Sequence, residues 1–307
     1  IDVAVARCTE SKPERQVLGG IGMFTPVNER DSWREIYREL EAYMLTEDGK
    51  KFLNIPFQEL KPADCLFQSL MLEIKGDYEN TQIVETSALR DLYTREYNEC
   101  WEKQATYVTR TLAQRPTNAP VVDIASGLAT LVEFIAARIN APIVVTDISL
   151  TILKRDKRIL QLNHLEDRVD LLAFDIRRMP FKDSSLSAVT TNLGFQNVSD
   201  KTGDVDGIII ELSRVLNGKL MGIFDFYDPE DQENRKIISE LGLEWSFYRG
   251  EFLSRFEKTG LKVGVKNVCL GRNNPTPVGE YFKEATIDTL PVKTTSTEWC
   301  TIEADSP

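Results

Sequence analysis

The fold of this chain is decided by the stretch PVVDIASGLATL, which runs from Pro120 to Leu131. A short apolar run ends at Asp123, passes through small residues and continues as a helical pattern. This order predicts a strand, a tight turn and the start of a helix, and open α/β sheets bind ligands at such turns. Small residues let the turn backbone approach a ligand closely, because they carry little or no side chain.

Apolar runs and helical patterns alternate from this stretch onward. The predicted strands are Pro120–Ile124, Pro142–Thr146, Val169–Phe174, Ala188–Asn192 and Leu220–Phe226. The predicted helices are Thr130–Ile139, Leu150–Leu165, Val205–Leu216 and Asn234–Leu241, with Ser149 as the N-cap of the second. Such alternation is typical of a doubly wound, mostly parallel α/β sheet with helices on both faces.

The last part of the chain changes pattern after a helix predicted at Phe252–Thr259. Two strands follow, at Leu261–Leu270 and Thr295–Ile302, with only a short helix near Gly279–Glu284 between them. Because no long helix connects them, we expect this pair to form an antiparallel edge of the sheet.

The N-terminal part, residues 1–87, lacks the alternation and predicts a largely helical extension or cap before a domain at 88–307. A turn is predicted at Gly19–Gly22 and a helix at Ser32–Leu45, with a capping box between Ser32 and Glu35. The run Leu66–Ile74 fits a helix or a buried strand, and a long helical pattern extends from about residue 86 to Ala113.

Composition narrows the function classes. The chain has 307 residues, with 37 basic and 48 acidic residues and a net charge of −11, which disfavours nucleic acid as a partner. No apolar run approaches the ~20 residues of a membrane span. The five cysteines are scattered without a C-x-x-C pair, and His164 is the single histidine, so we expect no metal site. Such cysteines predict reduced thiols and a cytoplasmic location.

Three acids, Asp123, Asp147 and Asp175, each follow one of the first three predicted strands. Asp147 follows Asp123 at close to the ~20-residue spacing at which an acid binds ribose hydroxyls. Asp175 could accept a hydrogen bond from an adenine amino group. The alternative is that these acids are only turn residues or N-caps, where aspartate is common.

The ordered segments 121–131, 145–147, 173–175 and 214–219 resemble the successive motifs of class I S-adenosylmethionine-dependent methyltransferases, closest to the small-molecule group. The resemblance spans about residues 88–305. It implies a Rossmann-like sheet of seven strands whose last strand is antiparallel. It further implies S-adenosylmethionine as the cofactor and a small organic acceptor methylated on O, N or C.

The resemblance also implies roles for individual residues. The turn would hold the methionine part of the cofactor, the second acid the ribose, and the third acid the adenine. The implied cofactor-binding residues are Asp123, Ala125, Ser126, Gly127, Ala129, Asp147, Ile148, Asp175, Ile176, Asn192 and Tyr97. The catalytic candidates are Asn192 and Phe195 beside the methyl group, and Asp225 as a base or substrate contact; Asp225 and the nearby Asp228 could equally be turn residues.

Two departures from the family pattern bear on binding. Ala125 and Ala129 stand where the family favours glycine; Ala125 is a mild change if its φ is negative, whereas Ala129 would narrow the floor under the cofactor. A cofactor-binding module without transferase activity is therefore the alternative function. A nicotinamide enzyme fits less well, because the G-x-G-x-x-G pattern is absent and Asp123 would repel a pyrophosphate.

Aromatic residues repeat along the helix that precedes the first strand. Tyr93, Tyr97 and Trp101 are spaced at i, i+4 and i+8 and so share one face. Such a stripe is either core or a lid over the cofactor, where aromatic faces attract a sulfonium. Phe195 and Gln196 would close the acceptor pocket from the other side. His164 is predicted at a helix end away from the crevice, so a histidine-based mechanism is not expected.

Overall fold

A computed structural model describes residues 6–7, 32–77, 93–115, 120–197, 205–275, 291 and 293–306. Its strands are β1 (Ala6–Arg7), β2 (Val121–Asp123), β3 (Ile143–Asp147), β4 (Val169–Ala173), β5 (Leu186–Asn192), β6 (Leu216–Tyr227), β7 (Lys262–Asn273) and β8 (Thr295–Asp305). The turn predicted at Gly19–Gly22, the short helix near Gly279–Glu284 and the boundary between residues 87 and 88 lie outside the described residues. The division into 1–87 and 88–307 therefore stays a prediction.

The helices in the described part of the chain are eleven in number, together with two 3-10 turns at Phe57–Glu59 and Glu166–Arg168. The helices are α1 (Ser32–Met44), α2 (Glu47–Leu53), α3 (Pro62–Lys75), α4 (Arg95–Ala113), α5 (Thr130–Ala136), α6 (Leu150–Leu162), α7 (Gly194–Asn197), α8 (Val205–Val215), α9 (Gln232–Leu241), α10 (Glu244–Phe247) and α11 (Arg249–Glu257).

The strands form one sheet in the order β1-β4-β3-β2-β5-β6-β8-β7. Strands β4, β3, β2, β5 and β6 run parallel to one another, whereas β8 runs antiparallel to β6, with Asp225 opposite Trp299. The predicted doubly wound sheet of seven strands is confirmed, including its antiparallel last strand. The two-residue strand β1 adds to it at the β4 edge.

Burial explains why β2 and β3 lie in the middle of this sheet. Every residue of both strands is buried, as expected for strands covered by helices on both faces. One core cluster joins the inner faces of the sheet to α8 and α11 through side chains such as Val122, Val189, Ile209 and Phe252. The carboxyl ends of β2, β3 and β5 consequently meet along one buried edge.

The described chain divides into two compact units. One contains β1, the described residues between Cys100 and Leu270, and those from Thr297 onward. The other contains the described residues from 32 to Glu99 and from Gly271 to Ser296. Its own core includes Leu40, Phe52 and Phe67. The ambiguous run at Leu66–Ile74 is helical, as part of α3, which ends at Gly76 in the left-handed conformation.

The cysteine prediction needs correction. Cys100 at the start of α4 and Cys269 in β7 form a disulfide, although 169 residues separate them in sequence. Among the described residues Cys65 and Cys300 are free thiols. Spacing could not reveal the pair, because only the packing of α4 against the edge strand brings the two sulfur atoms together.

Candidate functional site

The first βα turn is built from three residues in the left-handed region. Ala125 has a φ of 51°, Gly127 of 52° and Ala129 of 53°. Ser126 fixes the turn to the sheet: its N–H donates to the Thr146 carbonyl at 2.8 Å, and its hydroxyl donates to the Asp123 carbonyl at 3.1 Å. The turn is therefore held between β2 and β3 by its own short side chain.

Space opens beside this turn at Gly127. A Cβ atom placed on Gly127 would meet no atom within 4 Å. Ala129, by contrast, is 2% exposed, so its methyl group is packed among protein atoms and does not project into open space. Whether Ala129 narrows the floor under a ligand stays a prediction. We call the open space next to Gly127 the cradle, as the candidate place for a ligand.

The positive φ of Ala125 corrects the expectation that alanine would be a mild change there. A left-handed conformation costs an alanine roughly 1–2 kcal/mol relative to the right-handed region, because its Cβ crowds the carbonyl oxygen. Ala125 and Ala129 both carry this strain within one turn. Strain of this kind concentrates at ligand-binding sites, where the surrounding structure maintains it.

Replacing Ala129 with glycine should raise the free energy of unfolding by about 0.5–1 kcal/mol. Glycine removes the left-handed strain, and its more flexible unfolded chain offsets only part of that gain. Chemical denaturation measures the change. The control is Ala137→Gly at the opposite end of α5, where φ is −69° and glycine should only destabilise. A destabilised Ala129→Gly variant would contradict the strain assignment.

Asp147 joins the first and second βα turns. One carboxylate oxygen accepts the Gly127 N–H at 3.0 Å, and the other accepts the Ser149 N–H at 2.9 Å. Ser149 in turn caps α6, as predicted, by accepting the Ile152 N–H. A carboxylate has about four acceptor positions, and these two backbone bonds occupy two of them. The carboxylate therefore lies between the open cradle and the start of α6.

Asp123 lies deeper than Asp147. It is 1% exposed, and its Oδ1 accepts the Thr190 hydroxyl at 2.6 Å. Burial raises the pKa of Asp123 to about 6, although hydrogen bonds from Ser126 and Thr190 oppose the shift. The group is thus mainly ionised at neutral pH and supplies a buried negative charge behind the turn.

The buried charge of Asp123 should make stability depend on pH. The native state holds the extra proton between the ordinary pKa of 3.8 and about 6, so the free energy of unfolding should fall as pH rises through that window. Between pH 3.5 and pH 7, the Asp123 carboxyl should lower the free energy of unfolding by about 3 kcal/mol, and Asp123→Asn should abolish this fall. Denaturation at both values measures it, with the exposed Asp167→Asn as control. Equal pH slopes in wild type and Asp123→Asn would refute the assignment.

The adenine candidates divide into exposed and buried groups. Ile148, directly after Asp147, is 37% exposed and offers an apolar surface at the edge of the sheet. Asp175 is partly buried, and Arg177 binds it through both guanidinium Nε and Nη2. Burial alone would raise the pKa of Asp175, but the Arg177 hydrogen bonds and charge hold it below its ordinary value. Ile176 packs in the core, so only its backbone is available to a ligand.

The two candidates after β5, Asn192 and Phe195, differ in their exposure. Asn192 is partly exposed and accepts a hydrogen bond from the Trp101 indole at 3.1 Å. Phe195 is 0% exposed and packs on Phe224 and Phe256, and its role beside the acceptor stays a prediction. The difference in exposure between Asn192 and Phe195, three residues apart, was not readable from the sequence.

Gln196 and Asp225 are joined by a buried hydrogen bond. Gln196 donates to the Asp225 carbonyl at 2.6 Å and to the Ser246 carbonyl at 2.8 Å, which places it in a structural role. Its role as a pocket wall stays a prediction. Asp225 is 8% exposed, so little of it reaches solvent, and its role as a base stays a prediction.

Tyr97 lies in the second unit and stacks on Tyr93, with ring centroids 4.1 Å apart. Its role toward a cofactor stays a prediction. His164 follows α6 with a φ of 54° and is exposed.

Sequence reasoning missed Thr190 as the partner of Asp123 and Trp101 as the partner of Asn192. The aromatic stripe pointed to Trp101, but no sequence signal indicated what it contacts.

Comparison with known proteins identifies the unit that carries this site. Residues 121–219, from β2 into β6, match the sequence profile of a family described as methyltransferase domain. Residues 121–219 are thus similar to a methyltransferase domain. A demethylmenaquinone methyltransferase from Streptomyces avermitilis is 31% identical over 151 residues. That match covers 49% of this chain and 59% of the relative, so the chain spans less than two thirds of the relative's length.

A solved structure supports the fold of the methyltransferase domain. The YcgJ protein from Bacillus subtilis superimposes with a TM-score of 0.52 at 15% identity, over 67% of this chain and 98% of that protein. Within the described ranges, no helix is long and apolar enough to cross a membrane. The same residues contain no group of three or more metal-binding side chains.

Proposed function

We propose that this protein transfers a methyl group from S-adenosylmethionine to a small organic acceptor. The observation that carries the proposal is the Asp147 carboxylate, which bridges Gly127 and Ser149 beside open space at Gly127. A nucleoside could place its ribose against this carboxylate, while the methionine part enters the cradle. When bound, S-adenosylmethionine supplies a methyl group that its positive sulfur already activates.

The residues present fit that cofactor. Asp147 would bind the ribose hydroxyls, Ile148 would cover one face of the adenine, and Asp175 would accept from the adenine amino group. The buried charge of Asp123 favours a cationic ligand on the other side of the turn. In-line alignment and exclusion of water are the main tasks left to the protein.

The side chains considered as bases are His164 and Asp225. His164 lies at the end of α6, outside the turns that form the cradle, and Asp225 is largely buried. An acceptor that is already deprotonated needs no base. We infer that the domain works chiefly by alignment.

Calorimetric titration with S-adenosylmethionine, S-adenosylhomocysteine and NAD tests the proposal. We expect binding of the first two and none of NAD. Lack of binding to the first two would refute it. Binding without turnover of any acceptor would support the cofactor-binding module instead.

The cytoplasmic location stays a prediction, and the Cys100–Cys269 disulfide bears against it. Structural disulfides are rare where thioredoxin and glutathione keep thiols reduced. Mass spectrometry of protein alkylated at the moment of cell lysis would establish whether the two thiols are joined in the cell.

A further inference from the structure

The amide of Asn192 has a defined orientation at the carboxyl end of β5. The indole N–H of Trp101 lies 3.1 Å from Asn192 Oδ1. An indole nitrogen only donates hydrogen bonds, so the amide atom that faces it must be the oxygen. The amide nitrogen, with two donor hydrogens, has no acceptor among the residues that the structure describes.

Trp101 is held firmly enough to impose this orientation. Its ring meets Phe134 of α5 edge to face, with centroids 5.6 Å apart. The preceding residue, Cys100, is joined to Cys269 of β7. One turn further along α4, Gln104 donates to the Asn267 carbonyl at 2.6 Å. Packing on two sides and a covalent link therefore fix the start of this helical segment.

Asn192 lies two residues before Gly194, which packs against the first turn. A Cβ atom placed on Gly194 would lie 2.9 Å from both the Cβ and the carbonyl oxygen of Ala125. The segment after β5 thus touches the first turn at Ala125, whereas Asp147 binds the same turn at Gly127. A partly exposed donor at this place can reach a ligand that lies beside the methionine part of the cofactor.

We propose that the Asn192 amide nitrogen donates to an oxygen of the methyl acceptor, and that Trp101 is a positioning residue that turns this donor toward it. The inference rests on the proposed methyltransferase function. It favours phenolate and enolate acceptors over amines, because a negative oxygen keeps lone pairs for the Asn192 donor while another pair attacks, whereas the single lone pair of an amine is the one that attacks. One lone pair of the amide oxygen is already used by Trp101.

The chemistry balances without a further reactant. The phenol or enol loses its proton to solvent, and Asn192 stabilises the resulting negative oxygen. The acceptor's electron pair, on oxygen or on the conjugated carbon, forms the bond to the methyl carbon. The electron pair of the carbon–sulfur bond passes to sulfur, which becomes a neutral thioether. A carbon acceptor then loses its proton to water.

Matched acceptors test the proposal with the full chain. S-adenosylhomocysteine formation is measured with 2-naphthol against 2-naphthylamine, and with catechol against 1,2-diaminobenzene. We expect the oxygen acceptor of each pair to react at least about tenfold faster. Asn192→Asp keeps an acceptor for Trp101 but has no donor, so it should lower kcat with the oxygen acceptors at least about tenfold.

Trp101→Phe isolates the positioning role. It keeps an aromatic ring beside Phe134 but removes the N–H, so kcat with oxygen acceptors should fall about tenfold while the KM for S-adenosylmethionine stays within about threefold. The ratio of the rate with the oxygen acceptor to the rate with the matched amine should fall. The control is Trp245→Phe at a buried tryptophan of the same unit, which contacts Arg255 and should leave the preference unchanged.

The outcomes separate the two proposals. Failure to bind S-adenosylhomocysteine would refute the methyltransferase function itself. Binding combined with faster reaction of the amines, with an unaltered preference in Trp101→Phe, or with no turnover of either oxygen acceptor would overturn the inference about Asn192 and leave the proposed function standing.

Discussion

Replacing Gly127 with alanine should weaken binding of S-adenosylhomocysteine about 100-fold, or about 2.7 kcal/mol. The added methyl group would occupy the open space that we assign to the methionine part of the cofactor. The φ of 52° adds strain of roughly 1–2 kcal/mol, because alanine disfavours that conformation. Calorimetry measures the affinity, and chemical denaturation measures the stability.

Gly242 supplies the matched control for Gly127. It ends α9 with a φ of 67°, and a Cβ atom there would also meet nothing within 4 Å. Gly242→Ala should therefore cost a similar amount of stability and leave the affinity unchanged. Equal affinities in wild type and Gly127→Ala would show that the cradle is elsewhere. Equal loss of affinity in both variants would show that strain, not occupied space, weakens binding.

Hydrophobic patterning was sufficient to predict the sheet. Runs such as residues 143–145 are apolar at every position because both faces of the strand are covered, and this pattern does not depend on the details of packing. The short run at Leu66–Ile74 could not be assigned in the same way. A buried helix and a buried strand have similar composition over nine positions, and the choice depended on the surrounding core.

The candidate site was predictable in its acids and less so in its neighbours. Asp123 and Asp147 follow strands, so their place at the edge of the sheet follows from the parallel topology. The φ of Ala125, the full burial of Phe195 and the bond from Trp101 to Asn192 depend on contacts between residues distant in sequence. The disulfide between Cys100 and Cys269 belongs with them.

The alanines of the first turn have two effects that can be tested separately. The structure buries the methyl group of Ala129 and leaves the space at Gly127 open. Backbone strain at Ala129 lowers stability, whereas a narrowed cradle would lower affinity, and the second effect stays a prediction. Affinity and stability measurements on the turn variants can therefore be interpreted separately.

Removing the carboxylate of Asp147 should lower the affinity for S-adenosylhomocysteine at least about tenfold, or about 1.4 kcal/mol. Asp147→Ala loses the proposed ribose contact and also leaves the Gly127 and Ser149 N–H groups without their acceptor. We therefore expect a fall of about 1–3 kcal/mol in the free energy of unfolding as well. Calorimetry and denaturation of the same preparation give both values.

A second variant in the same turn distinguishes the ribose contact from simple loss of structure. Ser149→Ala removes the N-cap of α6 and should cost about 1 kcal/mol of stability, while the Asp147 carboxylate stays in place. Its affinity should match wild type. If Asp147→Ala also binds like wild type, the carboxylate serves only to join the two turns and the ribose assignment is wrong. If both variants lose affinity in proportion to their lost stability, the order of the turn, rather than the charge, determines binding.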